Sequence, residues 1–91
     1  MILAVLSALA EPTRLAAMRI LYDGDEHCVC DLMRRVDATQ SRMSRHMQVL
    51  KQAGLVVDRR DAQWVRYRIT PDLPPHLRAL LAAALVEEVM A

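Results

Sequence analysis

Residues 36–54 restrict the fold more than any other stretch. Met43, Met47 and Leu50 recur at i, i+4 and i+7, the spacing of one face of an α-helix. Ser41, Ser44, Arg45 and Gln48 recur at the same period on the opposite face. Thr39 suits an N-cap, because its hydroxyl can accept a bond from a backbone N–H of the first turn. Gly54 suits the exit, where a left-handed residue is needed. The polar face holds Arg42 and Arg45, with Lys51 further on, and no carboxylate lies between Thr39 and Gly54. A merely solvated helix mixes both charge signs. This one is suited to approach a polyanion.

The elements around it follow in order. Residues 2–9 read as a short, almost wholly apolar helix, which needs covering on all sides. Pro12 fits the first turn of a second helix, with Leu15, Met18 and Leu21 or Tyr22 inward. Residues 23–26 are a turn. A third helix runs from about Cys28 to Val36, with Val29, Leu32 and Met33 inward, and leads into the acid-free helix as a helix-turn-helix. After Gly54 the period drops to two: residues 55–57 and 64–69 read as strands and residues 58–63 as a charged loop. Pro74-Pro75 opens a last helix from about His76 to Met90. The expected fold is mainly α with a two-stranded β-hairpin, a winged helix-turn-helix in a single domain over residues 1–91. Two over-apolar terminal helices predict a homodimer joined through Leu3, Leu6, Leu77, Leu80, Leu81, Ala84 and Leu85.

The net charge of +1 hides an asymmetry. Residues 34–68 hold nine of the twelve Lys/Arg and only three acids, a local charge of +6. That layout predicts one face for nucleic acid and another kept away from it. Arg59, Arg60, Arg66 and Arg68 are the wing's candidates for phosphate or minor-groove contact. The apolar opening decapeptide lacks a basic leader, and no segment is long enough to span a bilayer. The expectation is a cytoplasmic protein with no membrane partner, in which the two cysteines are thiols. No Ser/His/Asp set, paired-carboxylate site or phosphate-cradling glycine loop is present, so an enzyme is not expected and no catalytic residue is assigned.

Three blocks stand together: Leu-Ala-Glu-Pro-Thr-Arg-Leu (9–15), Cys-Val-Cys-Asp-Leu (28–32), and Ser-Arg-His-Met-Gln-Val-Leu-Lys-Gln-Ala-Gly-Leu-Val (44–56) followed by Arg59-Arg60 and residues 64–68. In this order and spacing the chain resembles the ArsR/SmtB family of prokaryotic metal-responsive repressors, and Cys-Val-Cys-Asp-Leu its arsenic-responsive branch. The resemblance implies a homodimer on double-stranded operator DNA, with no permanently bound cofactor, released when As(III) or Sb(III) binds as inducer. It places the ligand on Cys28 and Cys30. It places DNA contact on Thr39, Gln40, Ser41, Arg42, Ser44, Arg45, His46 and Gln48 of the reading helix and on Arg59 and Arg60 of the wing. The arsenical pattern usually has a third cysteine where this chain has Met33. The site is then completed by water, hydroxide or His27, or the ligand is a mono-organic arsenical that needs only two sulfurs.

Cysteines at i and i+2 lie on nearly opposite sides of a regular helix. Capture of one atom by both sulfurs is therefore expected to unwind the start of the third helix and so disturb the reading helix. The same pair fits a redox or reactive-sulfur sensor, or a sensor of another soft metal. A thiol–disulfide oxidoreductase is disfavoured, since there is no Cys-x-x-Cys. His76 with Glu87 or Glu88 is too sparse a set for a zinc site on the last helix.

Overall fold

The computed structural model describes residues 2–86 of the 91. Five helices and three strands follow in the order α1 (Ile2–Leu9), α2 (Pro12–Leu21), β1 (His27–Cys28), α3 (Val29–Val36), α4 (Gln40–Gln52), β2 (Val56–Asp61), β3 (Trp64–Ile69) and α5 (Pro75–Leu85). The strands form one antiparallel sheet in the order β1-β3-β2.

The core is aliphatic and methionine-rich. Met18, Leu21, Leu32, Met43, Met47, Leu50 and Leu55 have no exposed surface. Full burial of one such side chain stabilises by about 1.5–3 kcal/mol. Of the expected inward positions, Leu15 and Met33 are only half-buried, and of the pair Leu21 and Tyr22 it is Leu21 that turns inward.

Helix α4 begins and ends as its sequence dictates. The Thr39 hydroxyl accepts from the Arg42 N–H at 3.3 Å. At the exit, Gly54 has φ 83°. Its N–H donates to Lys51 O at 2.9 Å, and the Leu55 N–H to Leu50 O at 3.0 Å. That pair of bonds is a Schellman motif. Asp37, also left-handed at φ 57°, turns the chain between α3 and α4, a conformation a short polar side chain tolerates.

Three expectations need correction. The wing is longer than the hairpin predicted: β2 extends through Arg59 and Arg60 to Asp61, and the tip is only Ala62-Gln63. Residues 58–61 pair in register with 64–67, and these backbone bonds outweigh the turn-like composition. Second, the sheet has a third strand. His27-Cys28 pairs with Tyr67 and Arg66, a strand too short to leave a periodic signal. Third, the expected dimer residues divide. Leu77, Leu81 and Leu85 are buried in the chain's own core, Leu80 and Ala84 are half-buried, and only Leu3 and Leu6 are exposed, at 77% and 45%. The seam of α5 packs inward, and the large apolar side chains left exposed near the two ends of the described chain are Ile2, Leu3, Leu6 and Val86, with Tyr22 and Val49 exposed elsewhere. The expected continuation of the last helix over residues 87–90 lies outside the described residues.

Replacing Thr39 by alanine should lower unfolding free energy by about 1 kcal/mol. Urea unfolding should show a lower midpoint at unchanged slope, whereas Ser41→Ala, exposed in the same first turn, should leave the midpoint in place.

Candidate sensor site and nucleic-acid interface

The cysteine site is built at the junction of β1 and α3. Cys28 is the last residue of the strand and the N-cap of the helix, with extended backbone at φ −64° and ψ 144°. Cys30 lies in the first helical turn. The two are therefore not two positions of a regular helix, and the opposite-sides expectation does not hold. Their Cα atoms are 5.1 Å apart and the sulfurs are joined in a disulfide, where thiols were expected. The Cys30 N–H donates to Cys28 Sγ at 3.2 Å. Convergence of the sulfurs needs no unwinding of α3, because α3 starts only after Cys28. Cys28 is buried and Cys30 half-buried.

His27 does not face the sulfurs. Successive strand residues point to opposite faces, and both of its ring nitrogens are engaged elsewhere. Nε2 lies 2.8 Å from Asp23 Oδ2, and Nδ1 3.2 Å from Asp31 Oδ2. Asp31 also receives Arg34, with Arg35 at 3.5 Å. Desolvation pushes the Asp31 pKa up, but bonds from His27 and Arg35 and the charge of Arg34 outweigh it and hold it below the usual range. Asp23 is lowered in the same sense. There desolvation is outweighed by the Asp25 N–H and by His27. Among the described residues no group of three or more His, Cys, Asp or Glu is arranged to hold a metal ion.

On α4 the two stripes separate cleanly. Met43, Met47 and Leu50 are buried. Gln40, Ser41, Arg42, Arg45 and Gln48 are exposed, and Ser44 is half-buried. Arg42 and Arg45 line a cleft with Arg14, His46 and Val49. Two of the residues assigned to DNA are already engaged. Arg14 donates to His46 Nδ1 at 3.0 Å, and Glu11 Oε1 lies 3.8 Å from the same nitrogen. A guanidinium only donates, so that nitrogen accepts. Arg14 also donates to Ala8 O at 2.7 Å, which ties α1, α2 and α4 together. His46 is thus a brace of the reading helix. Arg59 is held by Glu26 through two bonds of 2.8 Å. Arg66 is paired with Asp61 at 2.7 Å. Arg60 and Arg68 are exposed and have no ion pair among the described residues. Sequence reasoning passed over Arg14 and Glu26. The Glu-Pro-Thr-Arg block flagged the first, and nothing local flagged the second.

A helix-turn-helix whose second helix exposes an acid-free polar stripe, followed by a basic wing, is a DNA-reading module in outline. Comparison with known proteins decides which one. The family of bacterial regulatory proteins described as "arsR family" matches residues 11–57. This chain belongs to the ArsR family. Its members are regulators rather than enzymes, and its match covers α2 through the start of the wing. The chain is 42% identical over 66 residues to the arsenical resistance operon repressor of Escherichia coli, covering 72% of this chain and 56% of that protein. It is 37% identical over 81 residues to the arsenic resistance transcriptional regulator ArsR2 of Pseudomonas putida, covering 89% and 70%. The matched region thus spans little more than half to about two thirds of the length of these curated relatives. Among solved structures, HlyU from Vibrio cholerae superposes with a TM-score of 0.77 at 31% identity, covering 89% of this chain and 84% of that one. A homodimeric winged helix-turn-helix DNA-binding domain from Mycobacterium bovis, a possible ArsR-family regulator, gives 0.77 at 29% identity, covering 93% and 75%. The fold is therefore the ArsR-type winged helix. No helix among the described residues is long and apolar enough to cross a membrane.

Because Asp31 and Asp23 have depressed folded-state pKa values, their stabilisation is complete above the ordinary carboxylate range. It is lost as pH falls through the depressed values. Urea unfolding of wild type across pH 6 to 2 should show that loss, and Asp31→Asn should flatten part of it.

Proposed function

We propose that this ArsR-family chain is the DNA-reading and ligand-sensing body of a homodimeric, cytoplasmic repressor of an arsenical-resistance operon. It leaves its operator when trivalent arsenic or antimony, inorganic or mono-organic, binds Cys28 and Cys30. The observation that carries this is the convergence of the two sulfurs at the start of α3, the helix that packs directly on α4. The printed names of the relatives support the arsenical reading.

The binding form is the dithiol, because a disulfide offers no thiolate. A helix N-terminus lowers thiol pKa and favours the soft thiolate ligand. With arsenite, two As–S bonds replace two As–O bonds, the thiol protons join the departing hydroxyls, and two waters leave. His27 is held by two carboxylates, and Met33 offers only a neutral thioether. The protein therefore supplies two donors, which favours a mono-organic arsenical with two exchangeable positions.

Exposed Ile2, Leu3 and Leu6 supply an apolar patch for a second copy. The dimer would present two α4 helices to successive major grooves about 34 Å apart. Gln40, Ser41, Arg42, Ser44, Arg45 and Gln48 face the groove, Thr39 caps the helix at the duplex, and Arg60 meets phosphate from the wing. His46 and Arg59 contribute by holding neighbouring residues in place.

A second reading has its own support. The joined sulfurs favour an oxidation sensor, in which a peroxide takes two electrons and two protons from the pair, leaving a disulfide and water.

The deciding measurement uses the reduced protein on a duplex of its own promoter. Methylarsenite and arsenite should release it, methylarsenite at lower concentration, and Cys28→Ser and Cys30→Ser should each abolish release. Release by peroxide but not by either arsenical would transfer the site to redox sensing. Arg60→Ala should weaken binding to all sequences and flatten the salt slope by about one unit. Arg59→Ala should flatten it less, since its charge is already matched.

A further inference from the structure

The sulfur pair and the wing share one sheet. Across it, Cys28 stands opposite Arg66, and Arg66 opposite Arg59. Residues directly opposite on antiparallel strands project to the same face, so these three form one row. Glu26 precedes Cys28 by two residues and completes the row's charge balance. Its two carboxylate oxygens accept from Arg59 Nε and from the second guanidinium nitrogen, each at 2.8 Å. A two-bond fork fixes orientation as well as distance. The Arg59 bond, together with the charges of Arg59, Arg66 and Arg68, keeps the Glu26 carboxyl below its ordinary pKa against some desolvation. Residues 26–28 thus grip the wing twice, by backbone pairing to β3 and by the Glu26 carboxylate to β2.

We infer that Glu26 is a positioning residue that carries the state of the Cys28–Cys30 pair into the wing through Arg59. The inference rests on the sensor reading above and names its route. Once the pair is reduced to two thiols, bridging them with one metalloid atom, or joining them again by oxidation, changes the separation of the sulfurs. Cys30 is fixed by the hydrogen bonds of α3. Cys28 belongs to a two-residue edge strand whose only strand partner is β3. The displacement therefore falls on residues 26–28, and the fork passes it to Arg59 and the adjacent Arg60. This route reaches the duplex without any movement of α4 on the core. The ion pair is open to solvent, with side-chain exposures of 57% for Arg59 and 31% for Glu26. Such pairs contribute little to stability, so removing it uncouples the wing without unfolding the protein.

The test compares wild type, Glu26→Gln, Arg59→Gln and the double variant, all reduced. Three readouts are taken: arsenite uptake, the ratio of promoter affinities without and with arsenite, and the fluorescence of Trp64, which pairs with Asp61 beside the wing tip. All four should take up arsenite equally. Each single variant should lose about five-fold or more of the release ratio together with the Trp64 shift, and the double variant should lose no more than either single one. Singles that keep the full ratio and shift, or losses that add in the double variant, overturn the inference. A wild type that takes up no arsenite overturns the sensor reading instead. The Glu26–Arg59 coupling is then read with diamide, a diazene oxidant that takes two electrons and two protons from the dithiol. A Trp64 shift in wild type that is absent in Glu26→Gln upholds the coupling, and equal shifts in both overturn it.

Discussion

Burial of Met43, Met47 and Leu50 beneath α4 is the constraint on which the rest depends. All three have no exposed surface. Because they occupy one stripe of a helix, their burial leaves the opposite stripe no choice but solvent. Gln40, Ser41, Arg42, Arg45 and Gln48 are presented outward for that reason. The same packing sets the angle of α4 against α2 and α3, and the Arg14 brace to His46 and Ala8 fixes its other side. A reading helix held in this way can place short polar side chains reproducibly, which loop residues could not do.

The sulfur pair depends on a different kind of economy. One residue, Cys28, is at once the end of a strand, the cap of a helix and half of a sulfur pair. Its backbone is extended, so its sulfur can meet that of Cys30 across the helix start. Its strand bonds go to β3, so the wing sits beside the sulfurs. Glu26 and Arg59 add a side-chain bridge over the same seam. Chemistry at the sulfurs and charge at the wing are thereby neighbours in space, although Cys28 and Arg59 are far apart in the chain.

Local signals were legible wherever an element was long and periodic. Thr39 and Gly54 marked the ends of α4, and the methionine stripe marked its face. The expected helix over residues 2–9 is α1 as observed. The wing was underestimated because Asp58, Arg59, Arg60 and Asp61 look like a loop, and only pairing with residues 64–67 makes them strand. The strand at His27-Cys28 was invisible because two residues have no period. Leu77, Leu81 and Leu85 were assigned to a partner because apolarity does not say whose core a side chain joins.

By itself the sequence determined the helix-turn-helix, the acid-free face, the presence of a wing and the pair of sulfurs, since each follows from spacing or composition within a few residues. Only the tertiary structure decided that the sulfurs meet without unwinding a helix, that His46 and Arg59 are engaged within the protein, and that the strand carrying Cys28 belongs to the wing's sheet. Those facts depend on contacts between residues distant in the chain. Their geometry is set by packing and by strand register, which no local pattern encodes.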